Sequence, residues 1–243
     1  MSEPKVKPYT GNQGSKREQV EQMFDNIAPC YDFLNRALSL GIDLIWRKQA
    51  IDQLKEIEPK TILDVATGTA DLALEATRLK PEKIIGVDIA DKMLAIGRDK
   101  IKGKHEQDVI FLENGDSANL RFEDHSFDAV TAAYGVRNFE NLERGLAEMY
   151  RVLKPGGKMV ILEFSKPEKF PVKQLFNLYF RYILPGIGRL ISKDNSAYTY
   201  LPQSVKAFPQ GNAFVKILTT TGLKQAQWIP QTFGISSIYT GLK

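Results

Sequence analysis

The chain has few of the residues that carry hydrolytic or metal-dependent chemistry. A single cysteine, Cys30, excludes an internal disulfide, and two isolated histidines, His105 and His125, offer no metal-ligand spacing. No metal site is expected. No run of about 18 apolar residues occurs, and the first residues, through Gln19, are polar and lack the apolar centre of a signal peptide. These absences read as a soluble cytoplasmic protein. Glycine is also missing where a dinucleotide fingerprint needs it. In the loop Ala66-Thr67-Gly68-Thr69-Ala70 the motif positions flanking Gly68 are alanines, which disfavours a nicotinamide-dependent dehydrogenase.

With 243 residues, 43% of them hydrophobic, the chain can bury the core of one large α/β domain. The organising stretch runs from Thr61 to Asp71: an apolar strand, the small-residue loop, then a helical pattern from Asp71. Small residues admit a ligand close to the backbone, and the N–H groups of a first helical turn are free to meet an anionic group. The next strand, Lys83 to Ile89, carries Asp88 near its end, where one carboxylate can accept from both ribose hydroxyls. Loop and acidic strand end together look like the first two motifs of the Rossmann-like S-adenosylmethionine (SAM) methyltransferases. The bland alternative is an ordinary strand-to-helix connection.

The rest of the chain alternates regularly. Strands are expected at about 61–66, 83–88, 109–114, 127–133 and 158–164 and helices at about 71–79, 91–102 and 141–153, which makes a largely parallel sheet covered on both faces. Residues 1–17 read as a disordered tail, with one methyltransferase-sized domain over 18–243. Within it, 18–57 form N-terminal helices, the first closed by Pro29, and 166–221 form an aromatic helical cap with a stripe at Leu175, Phe176, Tyr179, Phe180 and Ile183. The segment from Gly222 to Lys243 reads as strand, turn and strand, an antiparallel pair.

Several polar residues fall at strand ends, where open α/β sheets bind ligands. Asp116 can accept from an adenine amino group and the Ser117 N–H can donate to a ring nitrogen; Asp116 serves equally well as an N-cap. Arg137 and Asn138 follow the fourth strand and face the same crevice, although an arginine there commonly just pairs with a carboxylate. Tyr31, Asn35 and Trp46 add donors that a substrate can use. Between Ser165 and Lys206 basic residues (Lys166, Lys169, Lys173, Arg181, Arg189, Lys193, Lys206) outnumber Glu168 and Asp194. That excess is too sparse for a nucleic-acid groove; it suits an anionic membrane surface or an ordinary solvated face.

Assembled, Tyr31 to Asn35 (YDFLN), Ser39-Leu40-Gly41, Trp46-Arg47, Asp64 to Asp71 (DVATGTAD), Tyr134 to Asn138 (YGVRN), Leu153 to Gly157 (LKPGG), Leu162 to Ser165 (LEFS) and Tyr198 to Ser204 (YTYLPQS) with Phe208-Pro209 resemble the ubiquinone/menaquinone-biosynthesis C-methyltransferases over nearly the whole chain. The resemblance implies an α/β, Rossmann-like class I SAM-dependent methyltransferase fold, with a mostly parallel seven-stranded sheet, an antiparallel C-terminal strand and a helical cap. It implies methyl transfer from SAM to a ring carbon of a prenylated quinol, demethylmenaquinol giving menaquinol. The cofactor-binding positions are then Thr69, Asp88, Asp116 and Ser117, with Asp64 and Gly68 of the same motif. Two positions depart from some members: Ala70 stands for glycine, which preserves the turn if its φ is negative, and Ala133 stands for serine.

The sulfonium methyl is already electrophilic, so alignment and ring activation remain for the protein. Arg137 is expected to stabilise the phenolate, and Tyr31 and Asn138 to orient the ring hydroxyls. Alternatives are a 2-methoxy-6-polyprenyl-1,4-benzoquinol acceptor on the way to ubiquinone, another apolar acceptor such as a sterol, or a catalytically silent scaffold subunit. The expected partners are the prenylated quinol and, transiently, the inner face of the cell membrane; nucleic acid is not one, and a homodimer is left open.

Overall fold

The apolar runs bounded by small-residue turns become the strands of one seven-stranded sheet, ordered β3-β2-β1-β4-β5-β7-β6. The structure is a computed structural model that describes residues 6–9, 11, 13–179, 182 and 196–243. The strands are β1 (Thr61–Val65), β2 (Lys83–Asp88), β3 (Ile110–Asn114), β4 (Phe127–Ala133), β5 (Leu153–Phe164), β6 (Lys224–Gln231) and β7 (Ser236–Leu242). β1 pairs in parallel with both β2 and β4. The strand order therefore reverses at β1, and a ligand crevice opens beyond the carboxyl ends of β1 and β4. β7 is inserted antiparallel between β5 and β6, as the resemblance implied. β5 begins earlier than its sequence pattern suggests because Leu153 pairs with Phe127 ahead of an irregularity, where Gly156 takes φ 79°.

Alternation along the strands divides the apolar residues between two cores. Leu63, Val130 and Ile161 face Met149 of α5 (Leu142–Val152) and Phe214 of α8 (Asn212–Thr221). Their neighbours Ile62, Ala129 and Val160 face Ile51 of α2 (Ile42–Asp52) and Ala73 of α3 (Asp71–Ala76). α4 (Asp91–Gly103) contributes Ile101 to that second face. A fully buried phenylalanine such as Phe214 stabilises by about 1.5–3 kcal/mol relative to exposure. α8 falls within the 166–221 expected as cap, and its Phe214 and Leu218 face the sheet's first core.

The N-terminal region differs most from its sequence pattern. α1 (Lys16–Ser39) starts one residue after Ser15, which forms a capping box with Glu18, so Lys16 and Arg17 belong to the helix and not to a tail. The helix also continues through Pro29. Proline in a helix interior costs about 3 kcal/mol, but Val20, Met23 and Ile27 before it and Leu34 after it are all buried on one stripe, and Ala197 and Tyr200 of α7 (Ser196–Ala207) pack onto that stripe. In α6 (Val172–Leu178), Phe176 is buried but Leu175 is exposed. The stripe positions Phe180 and Ile183, and residues 1–5 of the tail, lie outside the described residues.

A partly buried charge network ties α1 and α2 to the loop below. Arg36 and Arg47 both pair with Asp43, Arg36 also reaches Asp71 at 2.7 Å, and Lys100 bridges Asp71 and Asp32. Burial raises the Asp71 carboxyl, but Arg47 and Lys100 outweigh it and hold the group below the usual range.

Candidate active site

The loop between β1 and α3 is shaped by left-handed backbone at Ala66 (φ 55°), Gly68 (φ 56°) and Ala70 (φ 64°). The condition set for Ala70, a negative φ, is therefore not met, yet the turn forms. An L-residue in this region gives up about 1 kcal/mol relative to glycine, and Ala70 tolerates it while completely buried. The turn aims the Gly68 N–H at Asp88 Oδ2 (2.8 Å), and the Ala90 N–H meets Asp88 Oδ1 (2.9 Å). Burial pushes the Asp88 carboxyl up, and these backbone donors oppose it. Each carboxylate oxygen keeps a further lone pair for an incoming hydroxyl.

A cavity of about 300 Å³ lies over these strand ends, and Gly68, Asp88, Asp116, Ser117, Tyr31 and Asn138 all line it. Glycine keeps its walls close. A Cβ at Gly135 would stand 2.5 Å from the Ala66 Cβ, and one at Gly115 would stand 2.8 Å from Val87. Asp116 is engaged on both oxygens: Oδ1 accepts from the Ala118 N–H at 2.8 Å and Oδ2 pairs with Arg17 at 2.8 Å. The Asp116 side chain thus braces its turn and borders the cavity at once. Arg17, which no motif singles out, also lines the cavity. Its helix is pinned there by Lys16, whose ammonium donates to the carbonyls of Arg137 (2.9 Å) and Phe139 (3.0 Å).

Two of the sequence-derived cofactor residues stand apart from the cavity lining. The Thr69 hydroxyl donates to Asp32 at 2.6 Å and accepts from Lys100 at 3.1 Å, so its side chain serves the charge network. Asp64 lies beneath the loop, 1% exposed, accepting from the hydroxyls of Thr67 (2.7 Å) and Thr131 (2.8 Å). Burial drives its carboxyl up to about 6, against those hydrogen bonds. Neither residue is among those lining the cavity. Asp64 instead sets the loop from below.

Arg137 sits on the 3-10 turn Val136–Asn138 after β4. Its guanidinium, 8% exposed, pairs at 2.8 Å with Glu163 of β5, which is completely buried, and also donates to the Tyr134 carbonyl. Burial raises the Glu163 carboxyl and Arg137 opposes it. The carboxylate partner foreseen as an alternative for Arg137 is therefore present, and Arg137 is not among the residues lining the cavity, whereas Asn138 is. The Tyr31 hydroxyl is hydrogen-bonded with the Asn35 side chain, and burial raises its pKa. Trp46 is committed elsewhere, donating to Thr232 at 2.8 Å. Glu163 lies in the LEFS motif that supported the resemblance, so that motif carried its only sequence signal. Among the described residues no cluster of three or more His, Cys, Asp or Glu could hold a metal.

Comparison with known proteins agrees with this geometry. The model of the ubiE/COQ5 methyltransferase family matches residues 12–243. A demethylmenaquinone methyltransferase of Bacteroides fragilis is 52% identical over 98% of this chain and 98% of its own. A ubiquinone/menaquinone biosynthesis C-methyltransferase of Geobacter sulfurreducens is 46% identical over 94% of this chain and 90% of its own. Among solved structures, a SAM-dependent methyltransferase of Thermotoga maritima superposes with a TM-score of 0.62 at 18% identity, covering 91% of this chain and 99% of that one, a likeness of fold. On the match across residues 12–243, the chain belongs to the ubiE/COQ5 methyltransferase family.

Proposed function

We propose that this protein methylates a ring carbon of demethylmenaquinol at the expense of SAM, giving menaquinol. The observation that carries the reading is the juxtaposition, in one crevice, of the preset Asp88 carboxylate and the Tyr31–Asn138 pair. The cavity suits SAM: its glycine walls admit a flat nucleoside, Asp88 keeps acceptor capacity for two ribose hydroxyls, and Asp116 and Ser117 offer an acceptor and a donor for adenine. Arg17 shares or yields its hold on Asp116 when adenine arrives.

Bound there, SAM supplies a methyl group made electrophilic by its sulfonium. The chain's residues supply position and charge. Asp88, Asp116 and Ser117 hold the nucleoside, while Tyr31 and Asn138 orient the ring hydroxyls. Arg137 offsets negative charge on the ring oxygen after its proton departs, and electron density rises at the ortho carbon. That carbon forms the new carbon–carbon bond as the methyl–sulfur bond breaks; its own hydrogen then leaves as a proton and aromaticity returns. The oxidised quinone lacks the hydroxyl that this scheme ionises. The test is methyl transfer from radiolabelled SAM to reduced demethylmenaquinone, beside the oxidised quinone and a benzoquinol precursor of ubiquinone. Label in the naphthoquinol after reduction supports the reading; SAM binding without labelled naphthoquinol overturns the acceptor. The Geobacter relative is named for ubiquinone as well as menaquinone biosynthesis, and the benzoquinol arm of the same assay reads that second possibility.

The protein works from the cytoplasm at the inner membrane face, where a prenylated substrate resides. Supporting this are the exposed Phe33, Leu40, Leu44 and Ile45 around the α1–α2 junction and Phe170, Leu175 and Leu178 around α6, two regions tied together by the Tyr179 hydroxyl donating to Leu38 O at 2.8 Å. Among the described residues no helix is long and apolar enough to cross a membrane. Sedimentation with anionic vesicles, lost on replacing Leu40 and Phe170 by serine, checks this location; binding unchanged by those replacements contradicts it.

A further inference from the structure

Among the described residues, four buried side-chain polar atoms have no hydrogen-bond partner: Arg47 Nε, Arg137 Nε, Asn138 Oδ1 and Tyr200 Oη. Arg47 belongs to the N-terminal charge network, and the other three lie on two elements that touch each other. Arg137 and Asn138 are consecutive on the 3-10 turn, and α7, which carries Tyr200, packs against that turn. Tyr200 is only 2% exposed, wedged among Val20, Met23, Ile27 and Leu34 of α1. Its hydroxyl feels the charges of both Arg137 and Glu163. A buried polar group without a partner is costly, and native proteins leave few of them. Neither Arg137 nor Tyr200 lines the cavity of about 300 Å³, but Asn138 beside them does, and unspent polar capacity on two touching elements at its edge points to a polar ligand there.

The inventory also matches a chemistry. Arg137 Nε and Tyr200 Oη are donors and Asn138 Oδ1 is an acceptor. A para-dihydroxy ring that has lost one proton presents one oxyanion needing donors and one hydroxyl needing an acceptor. Resting on the methyl-transfer reading above, we propose that Tyr200 is a catalytic residue: its hydroxyl donates to the ionised ring oxygen beside Arg137 Nε, while Asn138 Oδ1 accepts from the opposite hydroxyl. Burial pushes the Tyr200 phenol up to about 12, with Arg137 opposing, so it remains a donor at neutral pH. The helical cap thereby carries part of the active site, and its docking onto α1 completes the acceptor subsite.

The test is Tyr200→Phe, which deletes one oxygen and keeps the packing. Because that oxygen has no partner in the protein, the melting temperature should stay the same or rise. SAM affinity should remain within about twofold of the parent. At neutral pH, kcat with reduced demethylmenaquinone should fall about 10- to 100-fold, and the rising limb of its pH profile should move up by about one unit as the ring oxygen becomes harder to ionise. Binding of 2-methyl-1,4-naphthohydroquinone, the product ring without its chain, should weaken by about tenfold independently of turnover. Turnover and ring binding within twofold of the parent overturn the proposal. A lowered melting temperature with proportionate loss of SAM affinity also overturns it, since the hydroxyl is then structural. A parent protein that binds the ring, with Tyr200→Phe weakening it, yet transfers no methyl would sink the menaquinol reading and leave the subsite standing.

Discussion

At the proposed cofactor end of the crevice, Asp88 already accepts from the Gly68 and Ala90 N–H groups, whereas at the proposed acceptor end Arg137 Nε, Asn138 Oδ1 and Tyr200 Oη have no partner. The first end is built from backbone donors on adjacent strand ends, which are rigid and cannot be removed by side-chain substitution. The second is built from side chains of four separated segments, around residues 31, 137, 163 and 200. It leaves polar capacity unspent until a ligand arrives. Affinity for the nucleoside should therefore depend on few side chains, and turnover on many.

The sharpest way to break this contrast is at the buried ion pair. Arg137→Ala leaves Glu163 charged with no counterion in a completely buried position, which should cost about 3–5 kcal/mol of stability in urea denaturation. A loss below about 1 kcal/mol contradicts the pairing. Next in size is Asp88→Ala, which removes the acceptor proposed for two ribose hydroxyls. SAM affinity by calorimetry should weaken about a hundredfold, equivalent to about 2.7 kcal/mol; unchanged affinity sinks the ribose role.

Asp64 sharpens the contrast through pH. Its folded pKa of about 6 lies above the ordinary carboxylate value. The folded state therefore holds this proton more tightly, and the resulting stabilisation, complete at low pH, is lost as pH rises through about 6. Asp88 and Glu163, also raised by burial, act with the same sign, while Asp71 and Asp128 act with the opposite one. Asp64→Asn should gain stability relative to the parent between pH 5 and pH 7.5, by on the order of 1 kcal/mol. A stability gap that does not change with pH contradicts the assignment. The smallest effect is expected at Ala70. Glycine there relieves the left-handed strain of about 1 kcal/mol but gives up a buried methyl and raises unfolded-chain entropy by similar amounts. The melting temperature should move by only a few degrees, and a large loss would show the methyl to be essential packing.

How much of this was readable beforehand follows from sequence distance. The sheet, Gly68, Asp88, Asp116 and Ser117 follow from short apolar runs and from what stands at their carboxyl ends, all local signals. Thr69 sits beside Gly68 in the chain yet turns away from the cavity, because α1 and α4 bring Asp32 and Lys100 to its hydroxyl. Pro29 reads locally as a helix stop, but a stripe buried against α7 carries the helix through it. Ala70 gave no local sign of its positive φ. The importance of Glu163, Arg17 and Tyr200 arises only when β5, α1 and α7 meet the turn after β4, contacts that no short window of sequence contains.

The central claim is that the Arg137 charge acts on the acceptor and does more than neutralise Glu163. The most direct measurement is the methyl-transfer rate, at saturating SAM and reduced demethylmenaquinone, of the paired variant Arg137→Gln/Glu163→Gln, which removes both charges and avoids stranding one. The expected result is a fold and a SAM affinity close to those of the parent, with the rate reduced at least about a hundredfold. A rate close to the parent's would contradict the claim and leave the ion pair a structural clamp.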